Sequence, residues 1–217
     1  MRPRQNKETW TALCERLGEG ESAAALWHLL DALYRHPRRF YHTIEHAADC
    51  VQMLHDLHAT IPADDPDAAE LALWLHDCIY VSGSKVNEEE SAEVAKVFCV
   101  QLGLNDERTD RVVGMIMATR HLGLPLKGDE ALVADIDLSS LGSKRADFAR
   151  GSASIAREFS HVPADAYRAG RVKFLEAMLS RPRLFHTEHM HALLEAAARR
   201  NVRIELERQL ARETPEE

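Results

Sequence analysis

Twelve histidines stand among 217 residues, more than the phenylalanines and tyrosines together. Imidazole is the side chain best suited to metal ligation and to proton transfer near neutral pH, so histidines in acidic company are the first place to look for chemistry. His42 and His46 stand at i and i+4, the spacing that sets two side chains one above the other on a helix face and lets both address one metal or one substrate. Frequency counting predicts roughly 0.7 such pairs by chance, so the pair needs corroboration. Two His-Asp dipeptides bear on it. His55-Asp56 begins nine residues beyond His46, and at ~100° per residue it points to the opposite side of the same helix. That removes it, with His58, from any site built on His42 and His46. His76-Asp77 instead closes the apolar run Leu71-Ala-Leu-Trp-Leu75 and precedes Cys78-Ile-Tyr80. A carboxylate and an imidazole there are costly unless compensated, either by hydrogen bonding to each other or by a divalent cation. A third acidic element, Asp135 and Asp137, lies in the apolar segment Ala131 to Leu141, where at least one of the two requires an internal partner.

The elements that must position these residues read as helices throughout. Gly18 and Gly20 separate a first helix, about Lys7 to Leu17, from one capped by Ser22 that reaches Arg35 before Pro37. A third helix runs from about Thr43 to Ala59. Asp65-Pro66 supplies an N-cap followed by proline at the first helical position and opens the run Ala68 to Ile79. After a loop at Val81 to Val86, Asn87 with Glu90 three residues on resembles a capping box for a helix ending near Gly103. Further helices are expected at about Asp106 to His121, then 144–160, 164–181 and 187–212, the last three separated by Pro163 and Pro182. No strand-like alternation, repeat or linker interrupts them. The expected fold class is all-α, a single helical bundle.

Composition narrows the function classes. The net charge is −8, which argues against a surface that coats nucleic acid. Cys14, Cys50, Cys78 and Cys99 form no C-x-x-C and read as neither a zinc knuckle nor a disulfide framework, which suits a reducing cytoplasm. The N-terminal segment contains no 7–15-residue apolar stretch, and no run of ~18 apolar residues occurs. The expectation is a cytoplasmic protein without a membrane span.

In order along the chain, His46, His76-Asp77 and Asp137 form the H…HD…D arrangement of the HD-domain metal-dependent phosphohydrolases, which this chain resembles. Tyr41-His42-x-x-x-His46-Ala-x-Asp49-x-Val51 is similar to the Y-H-N-x-x-H-A-x-D-V stretch of cyclic-nucleotide phosphodiesterases, and Asp137-Leu138-Ser139 to their C-D-L-S. The broader pattern resembles a group of small bacterial HD-superfamily proteins described as predicted metal-dependent phosphohydrolases. It appears as Arg39-x-Tyr41-His42, Trp74-x-His76-Asp77-x-x-Tyr80, Asn87-Glu88-x-x-Ser91-Ala92, Thr119-x-His121, Asp135-x-Asp137-Leu-Ser-x-Leu-Gly142 and Glu195-x-x-x-Ala198-Arg199-x-Asn201, from about 39 to 201. Tyr80 stands where phosphodiesterases often carry a second histidine, and Thr43 where they carry an asparagine. The chain is also much shorter than their catalytic domain.

The resemblance implies a single HD domain with a motif core at about 39–142 and C-terminal helices at 143–212. His46, His76, Asp77 and Asp137 are then metal ligands, and His42 donates a proton to the leaving oxygen. One or two divalent ions would be held, with Mn, Mg, Zn, Fe, Co and Ni not distinguished, and Asp77 would bridge two. Such an ion activates water for attack on phosphorus, and imidazole suits the proton transfer. Arg39 and Arg171 are candidates to meet phosphate charge through the planar guanidinium fork. Glu88 and His121 are candidates for the outer shell or a second metal, whereas His186, His189 and His191 read as an exposed turn. The expected partner is a small phosphorylated substrate, most simply a nucleotide; self-association into a homo-oligomer is left open. Two rivals stand beside this reading. His42-Thr-Ile-Glu45-His46 satisfies the H-x-x-E-H pattern of a zinc metalloprotease, and an HD-fold module can bind a nucleotide as a non-catalytic sensor.

Overall fold

The computed structural model describes residues 3–211, and every regular element among them is helical. The elements are α1 (Pro3–Arg16), α2 (Ala23–Tyr34), α3 (Ile44–Leu57), α4 (Pro66–Leu75), α5 (Asn87–Gln101), α6 (Asp106–Ala118), α7 (Gly128–Leu138), α8 (Arg145–Glu158), α9 (Ala164–Ser180) and α10 (Glu188–Ala211), with short 3-10 turns at Gly20–Ser22 and Ser139–Gly142. The all-α expectation holds. Residues 1 and 2, and residue 212 of the expected last helix, lie outside the described residues. No helix among the described residues is long and apolar enough to cross a membrane. The chain divides into two compact units, one up to Asp137 and one from Leu138.

In the first unit α4 is the central element, packed against α1, α3, α5 and α6. Its start is the expected one: the Asp65 side chain accepts from the Ala68 N–H at 3.0 Å, with Pro66 at the first position. A second tie comes from Arg108, which donates to both oxygens of Asp65 at 2.6 and 2.7 Å. Every residue from Ala68 to Leu75 is buried. The large apolar side chains among them contribute about 1.5–3 kcal/mol each. Trp74 sits edge-on to both Trp10 and Trp27, with centroids 6.2 and 6.0 Å away. The Tyr34 hydroxyl donates to the Trp74 carbonyl at 3.1 Å, so the residues just before His76 are held from two sides.

Three helix starts and stops differ from the sequence reading. Ser22 does occupy the N-cap of α2, but its side chain makes no cap bond, because a 3-10 turn already leads into the helix. Asn87 does not open a capping box. The N-cap of α5 is Val86, and the Asn87 amide instead pairs with the backbone of Val81 in both directions, at 2.9 and 3.1 Å. One turn later Ser91 does the same for Ile79, accepting from its N–H at 3.1 Å and donating to its carbonyl at 3.2 Å. Helix α6 ends at Ala118, not His121. The Thr119 hydroxyl donates to the Ile116 carbonyl at 2.7 Å, and His121 takes a left-handed φ of 51°.

In the second unit α9 and the turn Ser139–Gly142 both pack on α10. The pattern Glu195-x-x-x-Ala198-Arg199-x-Asn201 is its framework. Glu195 accepts from the N–H groups of Leu184 and Phe185 and from Arg199. Arg199 also donates to the carbonyls of Leu179, Arg181 and Pro182, and the Asn201 amide bonds the carbonyls of Leu141 and Ser143 at 2.9 Å each. A Cβ added to Gly142 would lie 2.7 Å from the Leu194 Cβ, so only glycine fits there.

Gly142→Ala is therefore expected to lower stability by about 1–3 kcal/mol, the usual cost of overpacking, readable as a fall in the urea midpoint. Burial works against the charge of Glu195, but the N–H groups of Leu184 and Phe185 and the Arg199 guanidinium hold its pKa below the ordinary value. Its contribution is present above the unfolded carboxylate value and lost as pH falls through the lowered folded one. Glu195→Gln should therefore flatten the acid side of the stability profile; an unchanged acid limb would contradict this account.

Candidate metal centre

Three segments of the first unit deliver the four expected ligands. His46 comes from the first turn of α3, His76 and Asp77 from the turn that ends α4, and Asp137 from the end of α7. His46 Nε2 lies 3.0 Å from Asp137 Oδ1 and 3.9 Å from Asp77 Oδ2. His76 Nε2 lies 3.1 Å from Asp77 Oδ2 and 3.4 Å from Asp137 Oδ1. The four residues named from the sequence thus converge.

The orientation of His76 tests whether they suit a cation. Its ring is 1% exposed and its Nδ1 lies 2.8 Å from the Leu73 carbonyl, which can only accept. That hydrogen bond places the Nδ1 proton and leaves Nε2 with a lone pair, aimed at two carboxylates. Nε2 is buried and has no aligned hydrogen-bond partner. A lone pair facing anionic oxygens is repulsive unless a proton or a metal ion intervenes, and a backbone carbonyl on the far nitrogen is the common support of a metal-binding histidine. The residues present fit a divalent cation.

The electrostatics agree. Burial opposes a charge on His46, but Cys50, Tyr41 and Asp137 outweigh it and raise the imidazole well above its ordinary value. His76 is likewise raised, burial being overcome by Asp77 and Asp137. Burial would lift both carboxyls, yet His121, His46 and His76 hold Asp137 well below the usual range, and His76 and His42 hold Asp77 below it. The cluster draws positive charge.

Around it the other named residues sort differently. His121 Nε2 lies 2.7 Å from Asp137 Oδ2, so the outer-shell position fits its contacts. Glu88, in the first turn of α5, is pushed up by burial, with the charge of Asp77 adding to the shift, and stands near the cluster without joining a ligand group. His42 precedes α3, whose N-cap is Thr43, so it does not share a helix face with His46. Its ring stacks on Tyr80, centroids 3.9 Å apart, and lies 6.3 Å from the His46 ring.

Arg39 is a correction. It is 8% exposed, and its terminal nitrogens donate to the carbonyls of His42, Asp77 and Cys78 at 3.0, 2.6 and 2.9 Å. It braces the two ligand-bearing segments instead of reaching for phosphate. Arg171 belongs to α9 of the second unit, its guanidinium 5.1 Å from the Phe174 ring centroid. Asp135 is fully buried, and Asp137 has the internal partners, His46 and His121, that at least one of the two acids required. His55 pairs with Glu70 at 2.8 Å, away from the cluster, as its helix phase required. His191 is half-buried and lies 3.2 Å from Glu195, so that turn is less exposed than expected.

The protease pattern loses its geometry. Glu45 is exposed and lines a separate groove with Asn6, Asp31 and Arg35, and no ligand group among the described residues contains His42. One residue was not among the candidate ligands of the sequence: Cys50, which with His46 and Asp137 forms a second group of converging ligand atoms. The signal available was its i+4 distance from His46, the same rule that singled out His42. Comparison with protein-family models, curated proteins and solved structures finds no match.

Arg39→Met should cost about 3 kcal/mol or more, since two buried bonds and one part-buried bond to a charged donor are lost and their carbonyls left unsatisfied. It should also weaken metal binding, because the segments carrying His42 and Asp77 lose their common brace. Denaturant titration with and without added metal checks both, and unchanged affinity would show that the brace serves folding alone.

Proposed function

We propose that this chain is a metal-dependent phosphohydrolase that cleaves a phosphate ester of a nucleotide or a similar small molecule, on an HD-type domain. The observation that carries the reading is the His76 ring, turned by the Leu73 carbonyl so that Nε2 faces Asp77 and Asp137 with His46 alongside. The supporting residues are those of the H…HD…D pattern, in order, and each imidazole has an oxygen of both carboxylates within 3.9 Å.

His46, His76, Asp77 and Asp137 would hold the ion. When bound, a divalent cation supplies Lewis acidity to a substrate oxygen and lowers the pKa of water towards neutrality. The chain's own residues do the rest. Asp137 is held through both oxygens, one beside His46 and one beside His121, so its carboxylate cannot swing away. Arg39 and the Asn87 and Ser91 pairs fix the backbone from Asp77 to Val81. His42, outside the ligand groups but stacked on Tyr80, takes the part of proton donor to the departing oxygen.

The test is a phosphate-release screen over nucleoside mono-, di- and triphosphates and cyclic nucleotides, on metal-defined protein with and without manganese. Release that needs metal and is lost in His76→Ala is expected, with His42→Ala lowering turnover by about 10²–10⁴-fold while metal stays bound. Stoichiometric metal without release from any substrate would favour the non-catalytic nucleotide sensor.

A further inference from the structure

The phosphohydrolase reading leaves one converging side chain without a task. Cys50 lies one helical turn beyond His46 on α3 and is 4% exposed, with Sγ 3.9 Å from both ring nitrogens of His46. Its sulfur, a His46 nitrogen and an Asp137 oxygen all lie within 4.8 Å of one another. The group shares His46 with the triad of His46, His76 and Asp77. Independently, the buried and unaligned His76 Nε2 points at Asp137 Oδ1, the oxygen that also faces His46.

We infer that Cys50 is a thiolate ligand of this centre, which makes it a site for a borderline cation such as Zn²⁺, Co²⁺ or Fe²⁺ in preference to Mg²⁺ or Ca²⁺. The inference rests on the metal centre of the preceding reading but not on its phosphate chemistry. Sulfur is a soft donor, and a set of two imidazoles, two carboxylates and one thiolate is matched to borderline metals; magnesium and calcium take oxygen. Ligation breaks the S–H bond and releases the proton to solvent. The other cysteines offer no such contact: the Cys78 sulfur faces the Ser91 carbonyl at 3.9 Å, and Cys14 and Cys99 are buried outside every ligand group among the described residues.

Cobalt titration of the full chain decides the matter, because Co²⁺ bound to a thiolate shows an intense sulfur-to-metal charge-transfer band and Co²⁺ bound to nitrogen and oxygen does not. The protein should bind Co²⁺ stoichiometrically with that band, lose it in both Cys50→Val and Cys50→Ser, and keep it in Cys78→Ala. Affinity in the Cys50 variants should fall by at least about tenfold, the cost of losing even an outer-shell partner. Excess Zn²⁺ should displace the cobalt and excess Mg²⁺ should not. Val matches the buried apolar setting and Ser keeps a polar atom, so circular dichroism on both separates loss of the ligand from loss of fold. Stoichiometric cobalt without the band, or a band that survives in a folded Cys50 variant, overturns the inference while leaving the metal centre intact. No cobalt binding at all overturns the metal centre with it.

Discussion

The hydrogen bond from His76 Nδ1 to the Leu73 carbonyl sets the direction of everything around it. It is made within one turn of α4, so it depends on nothing beyond that helix holding its shape. Once it is formed, the other ring nitrogen has a single direction to face, and the residues gathered there are acidic. The packing of Trp74 between Trp10 and Trp27 and the bond from Tyr34 to the Trp74 carbonyl keep the turn from rotating. A buried imidazole with one buried and one half-buried carboxylate would ordinarily be a liability in such a core; here the liability is arranged as a demand for a cation.

The turn after α4 is held by groups that imitate a backbone ladder. Asn87 and Ser91, four residues apart on α5, each exchange two bonds with an irregular segment that has no strand to pair with. Arg39 bonds the Asp77 and Cys78 carbonyls of the same segment. Three polar side chains thereby satisfy backbone groups that no helix or strand ladder pairs.

How far the sequence could be read depends on the kind of signal. Helix existence was legible from apolar periodicity and from Gly, Pro and Asp65-Pro66 punctuation, because these act locally. The convergence of His46, His76, Asp77 and Asp137 was legible because acidic and imidazole side chains in apolar surroundings must find each other. What a polar side chain bonds to was not. Arg39 resembles a phosphate-binding arginine until its carbonyl partners are known, and Asn87 resembles a cap until Val81 is seen opposite it. His42 fell off the helix because Thr43 is its N-cap, a one-residue matter that spacing cannot resolve. Cys50 carries no signal in the spacing of the cysteines, because its partner is a histidine one helical turn away.

Helix α4 has no face in contact with solvent between Ala68 and Leu75. Most helices carry a polar side where substitutions accumulate without effect, and this one carries none. A larger residue strains the packing and a smaller one opens a cavity, and either disturbance arrives directly at the carbonyl that orients His76. The eight residues before the His-Asp pair are therefore a stretch without silent positions: seven leave the centre as it is only under apolar exchanges of matched volume, and the eighth, Glu70, is bound to Arg16 and His55.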